Sequence, residues 1–527
     1  MAIDEASPQT GRARLLRELT LLALVATAVC NVIGGGINVL TVEIQEKIPG
    51  IGSLVPLAFV LGAIPALFAA LSYGVLASAM PRAGGDYTYI SRALHPFLGF
   101  IATFSKWFGL AAACGVIAYM DVTLLKAAAL YAGMQGAATW LEGSAATVWL
   151  PLGMIWLFWL VNLVGIRKYG WTVIVLMGLM LAGGLVVIVY GFVTPASESA
   201  RAILQSGHWT PLDAAPEAGG LPKLLTAISV LFFAYIGFAS ISQAGGEARD
   251  PSRLLPRAFL LATVIIAGYY MLFAAGVYNA IPWELVARIA PAEGVDLSVP
   301  EIMGVIMPQW LAVFVALMAA LALANDIPPI LLAVSRLFFA WAEDGIFPGG
   351  LAAVNERFQT PHWALTTSAM VASLIAVGCY LHGFFQGIDI VVIALCFTYI
   401  LIALSVITFP RHNPDLYANV AFLRNRTAQI LVAVLCIATV GALLYTQIVA
   451  DLNTMVENLH LAATGETSLP LAILGSNVIL WVVVMAIGAV IFQYMWSSRL
   501  RAGEDPSEVF MTLPAESEDY QAAEPTI

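Results

Sequence analysis

Three consecutive glycines, Gly34-Gly35-Gly36, stand in the middle of the first membrane-length apolar stretch. No other feature constrains the chain as much. Each glycine costs a helix interior roughly 1 kcal/mol relative to alanine. Within a bilayer, the N–H and C=O groups freed by a broken helix cost several kcal/mol more unless something satisfies them. A break at membrane depth is therefore tolerated where it lines a cavity, and the half-helix that starts there offers N–H donors to an anion. Close packing alone explains the triplet less well, since packing faces recur every third or fourth residue. The triplet predicts a transporter's binding site.

Composition fits a membrane setting. Of 527 residues, 60% are hydrophobic and only 11% charged, against about 25% charged in soluble domains. Apolar runs near 20 residues in length predict about twelve spans. They lie near 19–44, 53–79, 94–131, 147–164, 170–193, 223–246, 255–279, 303–341, 363–381, 387–409, 428–450 and 470–496. The first is too long for a cleaved signal and follows Arg12, Arg14 and Arg17 with no small-residue cleavage site. Lysines and arginines gather on one side, from Arg82, Arg92, Arg167 and Lys168 through Arg249, Arg253 and Arg257 to Arg499 and Arg501. The opposite side holds Lys47, Arg201, Lys223 and Arg288. This asymmetry predicts a multi-pass plasma-membrane protein with both termini cytoplasmic.

Other function classes find little support. The net charge of −10 is weighted by seven acids after Arg501, so residues 502–527 read as a disordered acidic tail, and nothing points to nucleic acid. The five cysteines all fall in apolar stretches, without disulfide or metal spacing. The six histidines are scattered, no nucleophile elbow appears, and no Lys-Ser/Thr follows the glycine run. No enzyme, cofactor or metal is expected.

A second break is expected at Phe232-Phe233-Ala234-Tyr235-Ile236-Gly237-Phe238. Moving Gly34 forward by about 203 positions lands on Gly237, and the same offset carries span two onto span seven. Each unit has an odd number of spans, so the second copy is inverted. The predicted organisation is a cytoplasmic segment 1–18, a first five-helix repeat 19–193, an inverted repeat 223–409 and two further helices within 428–496.

Several segments together resemble the amino acid–polyamine–organocation permeases. They are Ile33-Gly34-Gly35-Gly36-Ile37, Pro81-Arg82-Ala83-Gly84-Gly85-Asp86-Tyr87, Glu247-Ala248-Arg249-Asp250-Pro251 with Leu255-Pro256-Arg257-Ala258, and Ser335-Arg336 with Asp344-Gly345 and Thr360-Pro361. The resemblance implies an all-α membrane fold, a five-plus-five inverted repeat with discontinuous helices one and six. It also implies that a substrate carboxylate sits on the N–H groups of Gly34, Gly35 and Gly36. The ammonium would meet carbonyls around Asn31, Ile33, Phe233, Ala234 and Ile236, with Tyr235 and Phe238 covering the substrate. The chain departs from the family in span five, where Met180 stands in place of a lysine found in many proton-driven members. It departs again in span eight, where Asn325-Asp326 replaces small hydroxyl residues.

Asp326, with Asn325 beside it, is expected to act in coupling, as proton carrier or cation ligand, because ionisable residues within a membrane are costly and functional by default. Its local alternative is to satisfy donors disturbed by Pro328 and Pro329. Lys106 is expected either to snorkel to the interface or to pair with Asp326. Asp121 and Lys126 are expected at the outer interface without a role. Glu247 and Arg249 are expected at the cytoplasmic end of span six, either as an inner gate or as a solvated helix end. The expected function is alternating-access transport of an amino acid. A neutral substrate is expected because no charged side chain appears beside either break, and proton symport or exchange both fit, with sodium open. The rivals are a polyamine or organic-cation exchanger of the same fold and a non-transporting nutrient sensor.

Overall fold

The computed structural model describes residues 15–289, 297–382, 387–464, 473, 475–503 and 505–513. Arg12, Arg14, Glu504 and the acids from Glu516 onward lie outside the described residues. Eleven helices among the described residues are long and apolar enough to cross a membrane, and the described residues form helices without strands. The first expected span is two shorter helices, α1 (Leu21–Cys30) and α2 (Gly36–Lys47), with non-helical residues 31–35 between them. Next come α3 (Val55–Ala79), the short α4 (Gly85–Ala93), α5 (Pro96–Tyr131), α6 (Gln135–Glu142), α7 (Ser144–Leu163), α8 (Ile166–Val193) and α9 (Ala196–Ser206).

After α10 (Gly220–Phe232) the chain makes a tight turn of helix over Phe233–Tyr235, leaves helical geometry, and resumes in α11 (Ser240–Gln243). The rest comprises α12 (Pro251–Ala280), α13 (Trp283–Ile289), α14 (Val299–Gly304), α15 (Gln309–Ala324), α16 (Ile327–Glu343), α17 (His362–His382), α18 (Gly387–His412), α19 (Pro414–Tyr417), α20 (Arg426–Thr464) and α21 (Asn477–Arg501). The junction of α15 and α16 falls on Asn325 and Asp326. Pro328 and Pro329 follow at once and cannot donate to the preceding turn.

The longest buried element is α5, which packs against α15, α16, α17, α18 and α21. Helix α1 lies on α8 and α12, and α3 lies on α12 and α10. Aromatic rings from α5 and α16, with Phe347 beyond, fill one end of the bundle. Trp107 meets Phe338 edge-on at 4.7 Å, and Phe100 meets Trp341 at 5.2 Å. Such pairs give a core about 0.5–1.5 kcal/mol each beyond simple burial.

At that end the fold buries charge in pairs. Gly84 has φ +75°, and a methyl group on Gly85 would collide with the backbone of Ser242. The two glycines therefore let α4 start pressed against α11 and α16. Asp86, one residue on, takes an ion pair from Lys106 and a hydrogen bond from Ser242 Oγ at 2.7 Å. Lys106 is buried, so it neither snorkels to the interface nor reaches Asp326. The position of α4 decides its partner.

Glu247 is fully buried rather than solvated. Its carboxylate accepts from Arg336 Nε at 3.1 Å and Nη2 at 2.5 Å. Arg92 forks onto Asp344 at 2.6 and 2.7 Å, and Tyr87 donates to the same carboxylate at 2.5 Å. Lys126, by contrast, stays partly exposed and pairs with Glu142.

Removing one partner of a buried pair leaves an uncompensated charge and costs about 3–5 kcal/mol. Arg336→Met is expected to lower thermal stability in detergent by that order. Joining it with Glu247→Gln should recover most of the loss, and a double variant no better than the single would show that Arg336 acts through packing alone.

Candidate functional site

The two interruptions in the chain face each other. Asn31, just past the end of α1, donates from Nδ2 to Gly237 O at 2.8 Å. Gly237 has φ +125°, and a methyl group there would strike the Asn31 carbonyl, so only glycine allows this approach. Tyr270 of α12 completes the junction. Its hydroxyl lies 2.7 Å from Val32 O and 2.9 Å from Ala234 O, sharing one proton between a carbonyl from each interruption. Backbone groups that lost their helical partners are satisfied across the junction instead of by water.

Some groups stay open. Among the described residues, the N–H groups of Gly34, Gly35 and Gly36 and the carbonyls of Asn31 and Ile236 have no hydrogen-bond partner. These residues line a cavity of about 1360 Å³. Around them stand Phe233 and Ala234 from the second interruption, Asn38 of α2 and Val391 of α18. The cavity continues past Leu225, Met120 and Lys47, of which Leu225 and Met120 are exposed. It opens at the end of the bundle opposite the Glu247–Arg336 pair.

Of the residues expected at the site, Asn31, Gly34, Gly35, Gly36, Phe233, Ala234, Ile236 and Gly237 line this cavity, while Ile33, Tyr235 and Phe238 do not. Tyr235 turns away and donates to Phe59 O at 2.7 Å. Phe238 packs among Tyr73, Phe259 and Tyr399. The tight turn before Ile236 rotates both rings behind the wall, which a simple helical register does not foresee.

Asp326 comes to the cavity wall against Gly34, where a methyl group on the glycine would overlap its carboxylate. It is 9% exposed, and its Oδ1 has no partner among the described residues. The expectation that no charged side chain lies beside either break thus fails here, because span eight is folded against span one. Asn325 points elsewhere and donates to Met180 Sδ at 3.2 Å. Asp121 departs from its expected interfacial place. It is 2% exposed within α5, and its Oδ1 likewise lacks a partner among the described residues.

Arg249 lies at the far end of the bundle and pairs with Glu18 at 2.6 Å. The hydrogen bond from the Arg249 guanidinium, aided by its charge, holds the Glu18 carboxyl below its usual range. The pair is therefore lost only as pH falls through that lowered value. Tyr270 and Asn38 were not foreseen. A tyrosine in the middle of a span rather than at its end was the available signal for Tyr270.

The family model for amino acid permeases matches residues 19–464. The chain belongs to this family. An uncharacterised transporter of Mycobacterium tuberculosis is 31% identical over 69% of this chain and 74% of its own length. The branched-chain amino acid permease BcaP of Bacillus subtilis is 26% identical over 78% of this chain and 85% of its own. The low-affinity putrescine importer PlaP of Escherichia coli is 26% identical over 61% and 66% respectively. The protein is a transporter rather than an enzyme.

The Tyr270 hydroxyl should be a measurable support of the permease. Tyr270→Phe leaves two buried carbonyls without a donor, at about 1–3 kcal/mol. The melting temperature in detergent is expected to fall accordingly, and an unchanged melting curve would mean that the carbonyls find other donors.

Proposed function

We propose that this permease is a secondary active transporter for neutral amino acids, working by alternating access. The observation that carries the reading is the run of open N–H groups at Gly34, Gly35 and Gly36, facing open carbonyls of Asn31 and Ile236 in one cavity. The donors suit a carboxylate, and the start of α2 adds its dipole. The acceptors, which line the same cavity, suit an ammonium. Phe233, Ala234 and Val391 leave apolar wall for an uncharged side chain.

The same reading makes residues 19–193 and 223–409 inverted halves, with discontinuous first and sixth helices and residues 428–496 outside the repeat. The roughly 203-residue offset between Gly34 and Gly237, and the contact between the two interruptions, support it. The Arg-rich end, with Glu18, Arg249 and Arg336, is then cytoplasmic by the positive-inside rule, and the protein lies in the plasma membrane. The cavity faces outward, and Glu247–Arg336, Asp86–Lys106 and Arg92–Asp344 close the inner side. Within this gate Glu247 holds the seal, and Arg249 braces the start of the chain.

Coupling falls to Asp326. No basic group of the described residues pairs with it, and it stands in the cavity wall with its Oδ1 unpartnered among the described residues. A lone carboxylate is costly in such surroundings, and a proton is the smallest cation that removes its charge. Proton symport follows, with Asp326 as carrier.

The test is uptake of labelled amino acids into proteoliposomes, with external pH lowered and sodium absent. Concentrative uptake that requires the gradient is expected, with Asp326→Asn losing it at least about tenfold, a loss of ~1.4 kcal/mol in driving interaction. Uptake only from preloaded vesicles, unchanged in Asp326→Asn, would mean exchange instead. Uptake of putrescine but no amino acid would make Asp326 the anchor of an organic cation.

A further inference from the structure

The chain after α21 does not trail away. Residues 505–513 lie against the end of the bundle where the charges are buried, contrary to the expectation of a structureless tail from residue 502. Phe510 is buried there, stacked on Trp496 of α21 with ring centroids 6.3 Å apart. The Arg92 guanidinium lies 5.3 Å from the same ring's centroid. Arg92 Nε donates to Thr512 O at 3.3 Å, and Asn413 Nδ2, between α18 and α19, donates to Met511 O at 3.0 Å. Val509 and Leu513 pack on the core beside them.

Arg92 is therefore shared. Its two terminal nitrogens hold Asp344, at the end of α16, while its third nitrogen and one face of its plane hold the tail. Arg92 has no exposed surface, and part of that cover is the Phe510 ring. Excluding water strengthens a charge pair. The pair lies on a helix with two other tasks. Eight residues earlier α16 carries Arg336, bound to Glu247, and its first turn follows Asp326 in the cavity wall. Parting α16 from α4 would break the Arg92–Asp344 fork and expose it.

We propose that residues 505–513 form a strap that holds this end of the permease shut by keeping the Arg92–Asp344 pair dry. The strap bridges α4, the α18–α19 turn and α21, so it resists their separation from the end of α16. It is held by one aromatic anchor and two side-chain-to-carbonyl hydrogen bonds, so it can open locally before the fold does. Its place in a transport cycle rests on the alternating-access reading, but its test needs no substrate.

The reporter is Ser335→Cys, a buried position beside Arg336, in the full chain with its five native cysteines replaced. Reaction with a water-soluble maleimide is timed in reconstituted protein, with and without Phe510→Ala. The strap predicts roughly tenfold faster labelling in Phe510→Ala, the factor that about 1.4 kcal/mol of lost closure gives. Phe510→Leu, which keeps an apolar anchor, should fall between the two. Equal rates would overturn the proposal.

Hydrogen exchange of the otherwise wild-type chain and Phe510→Ala separates strap release from general unfolding. Faster exchange confined to α4 and the Arg336–Asp344 stretch supports the strap. A rise spread evenly over all helices would overturn it by making Phe510 an ordinary core residue.

Discussion

Backbone that leaves helical geometry at membrane depth has to be satisfied by something other than water, and here two interruptions satisfy each other. Asn31 reaches across to Gly237, and Tyr270 spans Val32 and Ala234. The rest of the cavity depends on this junction. It fixes the separation of the two interruptions, leaves the glycine N–H groups facing open space, and requires glycine at position 237 where the carbonyl of Asn31 comes close. Each unmet buried group would cost about 1–3 kcal/mol, so a junction with several bonds is a rigid support for a site rather than a weak point.

The opposite end obeys a different constraint. Six charged side chains, Asp86, Lys106, Glu247, Arg336, Arg92 and Asp344, are buried there as three pairs. Such pairs contribute little net stability compared with apolar packing, yet each resists the removal of a single partner. On the proposed alternating-access reading they form a seal that must come apart as a unit. Helix α16 belongs to both regions: about 27 Å of helix separates Asp326 at the cavity from Asp344 at the sealed end. A change at either end therefore has a stiff element through which to act.

Much of this was legible in the sequence. Glycine marked both interruptions, because no other residue makes adjacent helix-breaking positions plausible in a bilayer. The apolar runs gave the spans, and Asp326 stood out as an ionisable group amid them. What the sequence left hidden were partners set by rotation and tilt. Lys106 pairs with Asp86 because Gly84 and Gly85 let α4 lie close, and nothing in the spacing of positions 86 and 106 announces that. Tyr235 and Phe238 were expected over the substrate, but a tight turn swings them behind the wall. Asp121 read as interfacial from its distance along α5, since burial by neighbouring helices is a property of the whole bundle. The strap at 505–513 was hidden for the same reason, its short apolar run Val509–Leu513 being outweighed by the acids on either side of it.

The central claim is that the junction binds the two charged ends of an amino acid, and the most direct measurement is competition for binding to the purified protein. A labelled neutral amino acid that binds is challenged with three relatives: the unlabelled compound, its amine lacking the carboxylate, and its hydroxy acid lacking the ammonium. The account predicts that only the intact zwitterion displaces the label at comparable concentration, since the glycine N–H groups and the Asn31 and Ile236 carbonyls each lose their partner in one analogue. Displacement by the amine as effective as by the amino acid itself would contradict it, because the open N–H groups at Gly34, Gly35 and Gly36 would then have no part in recognition.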